Sequence, residues 1–217
     1  MLTWNLFHGR SVPDSRRELL GEFAATLAGW DWDVALLQEC PPWWPEPLAR
    51  ACGAEQRHVL TSRNALLALR RAVASRRPDL SRSNGGGCDA ILVRRPSVSE
   101  HRVVRLCRWP ERRWMHAVRL SDRWIANVHA SGPDALAIRD CARAGLMLRG
   151  WAGDEPALLG GDFNVAAPPV TGFALAGGRG VDGFVVSGWR VRGSVAVLER
   201  GRLSDHQPVV LTLDNRP

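Results

Sequence analysis

Short apolar runs, each followed by a turn or a polar side chain, recur along the whole chain of 217 residues. Runs of this length are typical of β-strands, whereas helical spacing of apolar residues is clear in only two long segments. One helix is expected to open at Pro13-Asp14 and the other at Pro133-Asp134. Many short strands and few helices predict an α/β sandwich. The predicted strands are residues 2–7, 34–37, 90–94, 102–107, 114–120, 124–129, 157–159, 184–186, 195–198 and 209–213.

The spacing of these runs also predicts how the chain is organised. The four runs from 90–94 to 124–129 are spaced like an antiparallel meander. A single helical turn is expected at 48–52, and the glycine-rich stretch 76–88 is the best loop candidate. Because no internal repeat or low-complexity linker interrupts the pattern, we expect a single domain over residues 1–217.

The chain is basic, with 29 Lys+Arg against 22 Asp+Glu and a formal net charge of +7. A basic surplus favours a polyanionic partner such as nucleic acid. A second interpretation stays open, because every cation is an arginine and the bias also fits a GC-rich genome. The five cysteines are scattered and odd in number, which favours reduced thiols over a disulfide framework.

Neither a membrane span nor a signal peptide is visible in the sequence. No window approaches the ~20 apolar residues that a membrane helix needs, and the first residues lack a basic and apolar leader. We therefore expect a soluble, cytoplasmic protein without stable membrane insertion. Its oligomeric state is not determined by the sequence, and a monomer is the expectation.

Polar side chains cluster where the apolar runs end. Strand ends in α/β folds are where ligand sites gather, so five such ends in one chain predict a functional site. The residues concerned are all carboxylates, amides or imidazoles: Asn5, Glu39, Asn127, His129, Asp162, Asn164, Asp205 and His206.

These residue types suit one kind of chemistry. Carboxylate and amide oxygens are the ligands that Mg²⁺ and Mn²⁺ prefer, and the set is too poor in Cys and His for a typical zinc site. A carboxylate outside the metal shell can align and deprotonate water, and imidazoles can stabilise charge on a phosphate. The pattern predicts metal-assisted hydrolysis of a phosphate ester.

Six short motifs at these positions occur in the order found in one known group of enzymes, from residue 3 to residue 209. On these motifs the sequence resembles the endonuclease/exonuclease/phosphatase superfamily, which includes deoxyribonuclease I-like enzymes. The resemblance implies a four-layered α/β/β/α sandwich of two mixed, mainly antiparallel sheets with the site at one sheet edge. The motifs are Thr3-Trp4-Asn5, Leu37-Gln38-Glu39, Asn127-Val128-His129, Gly161-Asp162-Phe163-Asn164, the segment 181–187, and Ser204-Asp205-His206-Gln207-Pro208-Val209.

The resemblance implies a metal site and a set of catalytic residues. Glu39 would be the principal ligand of Mg²⁺, or of Mn²⁺, with Asn5 and Asp205 nearby.

For the reaction itself, the resemblance implies that Asp162 orients and activates the water while Asn164 holds the phosphate. His206 would contact the scissile phosphate, oriented by Asp182 in a pair that raises the pKa of the imidazole. His129 would be the second imidazole, suited to the leaving-group side.

Departures from the family pattern indicate which branch of the family the chain resembles. Abasic-site endonucleases usually have an Asp where this chain has Phe7, and a Tyr where it has His129. Inositol-polyphosphate phosphatases usually show a Trp-x-Asp-Arg signature, whereas here Asp182 follows Gly180-Val181. These differences favour a branch with two catalytic histidines. The short segment between Asn164 and Asp182 leaves little room for a DNA-gripping insertion.

Several conspicuous residues match no motif. His8, His58 and His101 are interpreted as loop or sheet-surface residues. His116 is grouped with them, although its strand also leads toward the site. The pair Trp43-Trp44 fits packing against the core better than base stacking.

The arginine pairs at 70–71, 76–77, 94–95 and 112–113 are interpreted as solvated faces. Those flanking the glycine-rich loop are the best candidates for phosphate contacts.

Together these observations predict a Mg²⁺-dependent phosphodiesterase, with nucleic acid as the favoured substrate. A sphingomyelinase-like or other small-substrate phosphoesterase keeps the chemistry and changes the substrate. A catalytically silent binding module on the same fold is the remaining alternative.

Overall fold

A computed structural model describes residues 1–61, 64, 67–76 and 87–214, and it contains two six-stranded sheets. The sheet orders are β11-β12-β1-β2-β4-β3 and β5-β6-β7-β8-β10-β9. The strands are β1 Leu2–Asn5, β2 Val34–Cys40, β3 Glu55–Thr61, β4 Gly87–Val93, β5 Glu100–Cys107, β6 Arg113–Leu120, β7 Arg123–His129, β8 Ala157–Asp162, β9 Ala174–Arg179, β10 Asp182–Ser187, β11 Ala196–Val197 and β12 Val209–Val210.

Both sheets are mixed and mainly antiparallel. Each contains one parallel pair, β1 with β2 in the first sheet and β7 with β8 in the second. The other described pairs are antiparallel. The carboxyl ends of two parallel strands meet at the same edge of a sheet, and this arrangement positions the site.

Three apolar layers hold the sheets and helices together. The first sheet packs against α1 (Leu20–Gly29) and α2 (Pro45–Cys52). The second sheet packs against the apolar face of α4 (Asp134–Ala152). A third cluster, which includes Leu36, Ile125 and Phe184, fills the space between the two sheets. This order of layers confirms the predicted α/β/β/α sandwich.

Buried polar groups also join the two sheets. The amide of Asn127 on β7 donates to the carbonyls of Leu37 and Ala90, both at 2.9 Å. Its Oδ1 accepts a hydrogen bond of 2.7 Å from Gln38 on β2. Asn127 is fully buried, so these bonds satisfy it inside the core. The polar end of this strand is therefore partly structural.

Some predicted boundaries were wrong. The first helix begins at Leu20, because Ser11 accepts from the amide of Ser15 and Asp14 accepts from that of Arg16. Such side-chain bonds hold a turn and compete with helix formation. The run 90–94 does not belong to the meander, because β4 pairs with β2 and β3 in the other sheet, and only β5, β6 and β7 form it.

Three elements were missed by the sequence reading. Strands β3 and β9 are sheet edges whose exposed side chains lack apolar alternation, and α3 (Leu67–Arg76) has little amphipathic character. Of the loop predicted at 76–88, residue 76 ends α3 and residues 87–88 belong to β4, while 77–86 lie outside the described residues.

All five cysteines are buried, and none is paired with another in the structure. Across the described helices, none combines the length and the apolar character required to cross a bilayer.

Candidate active site

The predicted site residues meet where the two parallel strand pairs end. Asn5 closes β1 beside Gln38 of β2, so Glu39 follows at the same edge. His129 closes β7 in register with Asp162, the last residue of β8. Asp182 opens β10, directly across from Asp162 in the antiparallel pair. Residues far apart in the chain are therefore gathered at one edge of the sandwich.

The Asp162 carboxylate lies at the centre of this group. Its Oδ2 accepts a 2.9 Å hydrogen bond from Nδ2 of Asn5, and its Oδ1 accepts one of 2.9 Å from the backbone amide of Asn164. The Nε2 atoms of His129 and His206 lie 3.6 and 3.9 Å from the same Oδ2. Asp162 is almost completely buried, and its hydrogen bonds from Asn5 and Asn164 fix the orientation of its carboxylate.

A close backbone approach lets β8 deliver Asp162 to this position. Gly161 has φ of +141°, and a Cβ at this position would come within 1.9 Å of the Val128 carbonyl oxygen. Only glycine avoids that clash, and its backbone tolerates the positive φ. The glycine before the site Asp is thus required by the close passage of β8 beside β7.

His206 and Asp182 form a short carboxylate–imidazole pair. Nδ1 of His206 donates to Oδ2 of Asp182 at 2.7 Å. Burial opposes charge on His206, but the bond to Asp182 and the nearby carboxylates outweigh it and raise its pKa to about 9. Burial raises the pKa of Asp182 to about 6 in spite of the imidazole. Between these values the pair is a carboxylate and an imidazolium.

The loop that carries His206 is anchored to β1. Ser204, with φ of +61°, donates from its hydroxyl to the carbonyl of Asn5 at 2.7 Å and accepts from the His206 amide at 3.1 Å. The indole of Trp4 donates to the His206 carbonyl at 3.1 Å. Asp205 is exposed at the rim, with Oδ1 4.0 Å from Nε2 of His206.

Glu39 sits in an irregular part of β2. The β2–β4 register shifts between Leu37 and Cys40, and Glu39 has φ of +48°. Bulges and left-handed backbone in non-glycine residues concentrate at functional sites, where they aim a side chain. Here the Glu39 carboxylate reaches the site, with Oε1 3.9 Å from Nε2 of His129.

His8 is a site residue that the sequence reading placed on the surface. Its Nε2 lies 3.0 Å from Oε2 of Glu39, and burial lowers its pKa, with Glu39 opposing the shift. Three successive residues, Phe7, His8 and Gly9, have positive φ. A Cβ on Gly9 would lie 2.4 Å from the Trp44 ring, so this turn needs glycine. The sequence signal for His8 was its position, three residues after Asn5 and immediately before a glycine.

Arg113 is the second residue that the sequence reading missed, since it was interpreted as part of a solvated pair. It is 8% exposed, and its Nη1 lies 2.9 Å from Nδ1 of His129. Its other terminal nitrogen is paired with Glu111. Burial lowers the pKa of His129 well below its usual value, and Arg113 lowers it further. The predicted hairpin was the available signal, because it brings residue 113 beside the end of β7.

A buried acid lies beneath the site. Asp89 on β4 is completely buried, and burial raises its pKa well above the usual range for an aspartate. Arg113 opposes that rise, whereas Glu39 and Asp162 reinforce it. The site floor therefore combines several acidic groups with one buried guanidinium.

The remaining unassigned residues lie elsewhere. His116 is completely buried and its Nδ1 is 3.2 Å from Nε2 of His101, so it does not line the site. Trp44 is 3% exposed and Trp43 packs against the same core, which confirms the core interpretation of this pair. Arg94 donates to backbone carbonyls and holds a corner of the fold.

The other arginines of the predicted pairs divide in two. Arg71, Arg95 and Arg112 are exposed. Arg77 and the side chains of Arg70 and Arg76 lie outside the described part of the chain.

Two sets of side chains are candidates for binding a divalent cation. Ligand atoms of Asp162, Asp182 and His206 lie within 4.8 Å of one another. However, Asp182 and His206 already bond to each other, and an imidazole with a pKa of about 9 keeps its proton at neutral pH. The Glu39 carboxylate offers the oxygen donors that a hard cation prefers. Asn5 ends the neighbouring strand, in register with Gln38, and its amide oxygen accepts a hydrogen bond of 2.9 Å from the Phe7 amide.

A two-sheet sandwich with carboxylates, amides and imidazoles at one sheet edge defines a deoxyribonuclease I-like hydrolase fold. The model of the Endonuclease/Exonuclease/phosphatase family matches residues 2–206, so the chain belongs to that family of phosphoester hydrolases. A comparison with curated proteins found no match.

Solved structures share the fold at low sequence identity. An endonuclease/exonuclease/phosphatase from Beutenbergia cavernae is 19% identical with a TM-score of 0.73, covering 98% of this chain and 70% of that one. A mannosyl-6-phosphatase from Bacteroides thetaiotaomicron is 15% identical with a TM-score of 0.69, covering 99% of each chain. A humanized TDP2 from D. rerio is 15% identical with a TM-score of 0.68, covering 99% of this chain and 97% of that one.

Proposed function

We propose that this protein is a Mg²⁺-dependent phosphodiesterase that cleaves nucleic acid by attack of an activated water. The observation that carries the proposal is the convergence on Asp162. One carboxylate oxygen accepts from Asn5 and faces two imidazole Nε2 atoms at 3.6 and 3.9 Å. Those gaps are longer than hydrogen bonds, so neither Nε2 atom is bonded to Asp162 and both are available to a bound phosphate.

Asp162 is the proposed base. Its carboxylate is held by Asn5 and by the backbone amide of Asn164, so it is oriented before substrate binds. An oriented carboxylate aligns a water for in-line attack on phosphorus and accepts its proton. Asn164 is proposed to contact the phosphate from the adjacent turn, where its amide already donates to the Ala130 carbonyl at 2.9 Å.

His206 is proposed to stabilise the charge that develops on the phosphate. Asp182 holds its Nδ1, which leaves the Nε2–H pointing toward Asp162 and the substrate space. With a pKa of about 9, the ring is an imidazolium at neutral pH and carries a proton for transfer. The preorganised positive charge favours the transition state over the ground state.

Glu39 and Asn5 are proposed to hold Mg²⁺, with Asp205 completing the site from the rim. Mn²⁺ would suit the same oxygen donors. When bound, the cation supplies charge neutralisation to the phosphate oxygens. His8 holds one oxygen of Glu39 at 3.0 Å, which orients the carboxylate.

A groove lined by arginines of α4 and of the turn that leads into Arg113 supports nucleic acid as the substrate. The turn between β5 and β6 carries Trp109, which is 75% exposed, and it leads directly into Arg113 at the site. A groove of about 630 Å³ lies between this turn and α4. Exposed aromatic rings stack on bases while arginines bind the backbone phosphates. The groove is lined by Leu106, Cys107, Arg108, Trp109, Arg139, Ala142, Arg143 and Leu146.

Two other functions give different experimental outcomes. A sphingomyelinase-like enzyme would hydrolyse lipid at an interface, and a small-substrate phosphoesterase would ignore polymers. A silent binding module would hydrolyse none of the phosphoesters.

The decisive experiment is a substrate panel. Purified protein is incubated with plasmid DNA, single-stranded DNA, RNA, sphingomyelin vesicles and bis(p-nitrophenyl) phosphate, with Mg²⁺, Mn²⁺ or a chelator. We expect cleavage of a nucleic acid and of the chromogenic diester, abolished by the chelator. Binding of nucleic acid should weaken steeply with salt. Hydrolysis of sphingomyelin alone, or of no substrate, would overturn the proposal.

Matched variants separate the chemistry from the substrate contacts. Asp162→Ala and His206→Ala should abolish activity on every substrate, whereas the exposed Asp154→Asn should leave it unchanged. Trp109→Ala and Arg143→Gln should weaken cleavage of nucleic acid and leave the small diester unaffected. Equal losses on both substrates would argue against the groove.

A further inference from the structure

Two of the site histidines, His206 and His129, are held at Nδ1 by groups of opposite kinds. His206 faces the carboxylate of Asp182 at 2.7 Å, whereas His129 faces the guanidinium of Arg113 at 2.9 Å. A carboxylate accepts a hydrogen bond, so it selects a ring that is protonated at Nδ1. A guanidinium has donors only. The two imidazoles are therefore prepared in different states.

The contact with Arg113 determines where the proton of His129 lies. Because Arg113 has no acceptor, Nδ1 of His129 must present its lone pair to the Nη1–H donor. The single ring proton is then on Nε2. A proton on both nitrogens would set two N–H groups against each other at 2.9 Å. The geometry alone selects the Nε2–H tautomer.

Arg113 is built rigidly into the wall of the site. It is the first residue of β6, it is 8% exposed, and Glu111 pairs with the far side of its guanidinium. The neighbouring Asp89 is completely buried and supplies further acidic surroundings. An immobilised arginine of this kind can hold a ring in one orientation.

Nε2 of His129 faces the carboxylates where the phosphate is proposed to bind. This nitrogen lies 3.6 Å from Oδ2 of Asp162 and 3.9 Å from Oε1 of Glu39, and both distances exceed a hydrogen bond. We propose that Arg113 is a positioning residue that fixes His129 as the Nε2–H tautomer, so that His129 donates a hydrogen bond to a phosphate oxygen. This inference rests on the proposed phosphodiesterase function.

The tautomer gives the rings of His129 and His206 different roles. A neutral imidazole whose only proton is on Nε2 stabilises charge by hydrogen bonding, but it does not act as a general acid, since proton loss would leave an imidazolate. His206 is then the ring that carries a transferable proton. The leaving-group role that the family resemblance implies for His129 becomes hydrogen-bond donation.

The test is nitrogen NMR of the full chain with ¹⁵N-labelled histidine, with and without Mg²⁺. A His129→Asn spectrum assigns the resonances of this ring. We expect a pyridine-type Nδ1 and a pyrrole-type Nε2 in the wild-type protein and in Arg113→Lys, whose ammonium also has donors only. Arg113→Met should give a mixture of tautomers. Arg112→Gln, with the same charge change on an exposed neighbour, should leave the pattern intact.

Kinetics with bis(p-nitrophenyl) phosphate supply the second measurement. Arg113→Met should lower kcat by about 10- to 100-fold, the loss typical of a misplaced transition-state donor, with a smaller change in KM. Arg113→Lys, which keeps a donor-only group, should recover most of that loss. Thermal unfolding and circular dichroism check that each variant folds, and Arg113→Lys and Arg112→Gln keep the test usable if Arg113→Met unfolds.

Defined results would overturn the inference. A wild-type His129 protonated at Nδ1 refutes the tautomer, and an unchanged pattern in Arg113→Met refutes the positioning role. If Arg113→Lys recovers neither kcat nor the tautomer, the positioning role is likewise refuted. The expected tautomer in a protein that cleaves no phosphoester would refute the proposed function while the ring assignment stands.

Discussion

Replacing Asp182 by Asn removes the acceptor that keeps His206 protonated while preserving the shape of the side chain. In the native protein Oδ2 of Asp182 accepts from Nδ1 of His206 at 2.7 Å, and the pKa of the imidazole is about 9 instead of 6.5. That rise corresponds to about 3 kcal/mol in favour of the imidazolium. Because the His206 side chain is 24% exposed, solvent screening lowers this to about 2 kcal/mol.

The sign of the pH dependence follows from the direction of the shift. The pKa of His206 is higher in the folded chain than in the unfolded one, so its stabilising contribution is complete below pH 6.5 and is lost as the pH rises through about 9. Asp182, whose pKa burial raises to about 6, is ionised across most of that window. We expect the free energy of unfolding to fall by about 2 kcal/mol across it, and the slope to vanish in Asp182→Asn.

Activity should follow the same titration. We expect kcat/KM on bis(p-nitrophenyl) phosphate to fall at high pH with an apparent pKa of about 9. Asp182→Asn removes the hydrogen bond that raises the pKa of His206 while burial continues to lower it, so this pKa should fall toward the ordinary histidine value. At pH 7.5 a ring with the ordinary pKa of about 6.5 is only about a tenth protonated, so we expect the rate to drop by up to about tenfold.

Kinetic pH profiles and an NMR titration of His206 measure these quantities. Asp154→Asn removes the same charge from an exposed position and serves as the control. An upper limb that stays at about pH 9 in Asp182→Asn would refute the reasoning.

Three further outcomes are expected. Gly161→Ala drives a Cβ to 1.9 Å from the Val128 carbonyl, so the free energy of unfolding should fall by more than about 3 kcal/mol in denaturant titrations. Gly132→Ala, with open space around its Cβ, should change it by less than about 1 kcal/mol. Asn127→Leu leaves two buried carbonyls unpaired and should cost about 2–4 kcal/mol, whereas a neutral effect would remove its bridging role. Glu39→Gln should weaken Mg²⁺ binding in calorimetry by at least about tenfold, and equal affinity would place the cation elsewhere.

Local sequence was sufficient for the parts of the fold that bury a regular face. Apolar runs formed β1, β2, β6, β7 and β8. These runs are apolar because both faces of the strands are covered, by the opposite sheet on one side and by helices on the other. Edge strands bury little, so β3 and β9 carried no apolar pattern to read. The Ser11 side chain accepts a hydrogen bond that holds a turn, so the first helix begins later in the chain than the apolar periodicity predicts.

The order of the polar strand ends also predicted which side chains would meet. Asn5, Asp162 and His206 come together as expected, and Asp182 bonds to His206. Their metal-binding and catalytic roles stay predictions, as does the extent of a single domain. Asp205 lies at the exposed rim, farther from the centre of the site than its neighbour in the chain.

By itself the sequence determined the family and the sandwich, and it predicted which polar strand ends would form the candidate site, because short motifs at strand ends are local features. The net charge of +7 favours a polyanionic partner but also fits a GC-rich genome, and both interpretations remain open. Only the tertiary structure brought His8 against Glu39 and buried Arg113 against His129. Those contacts depend on a left-handed turn and on strand register, and the charge around each ring follows from three-dimensional distances that no local pattern contains.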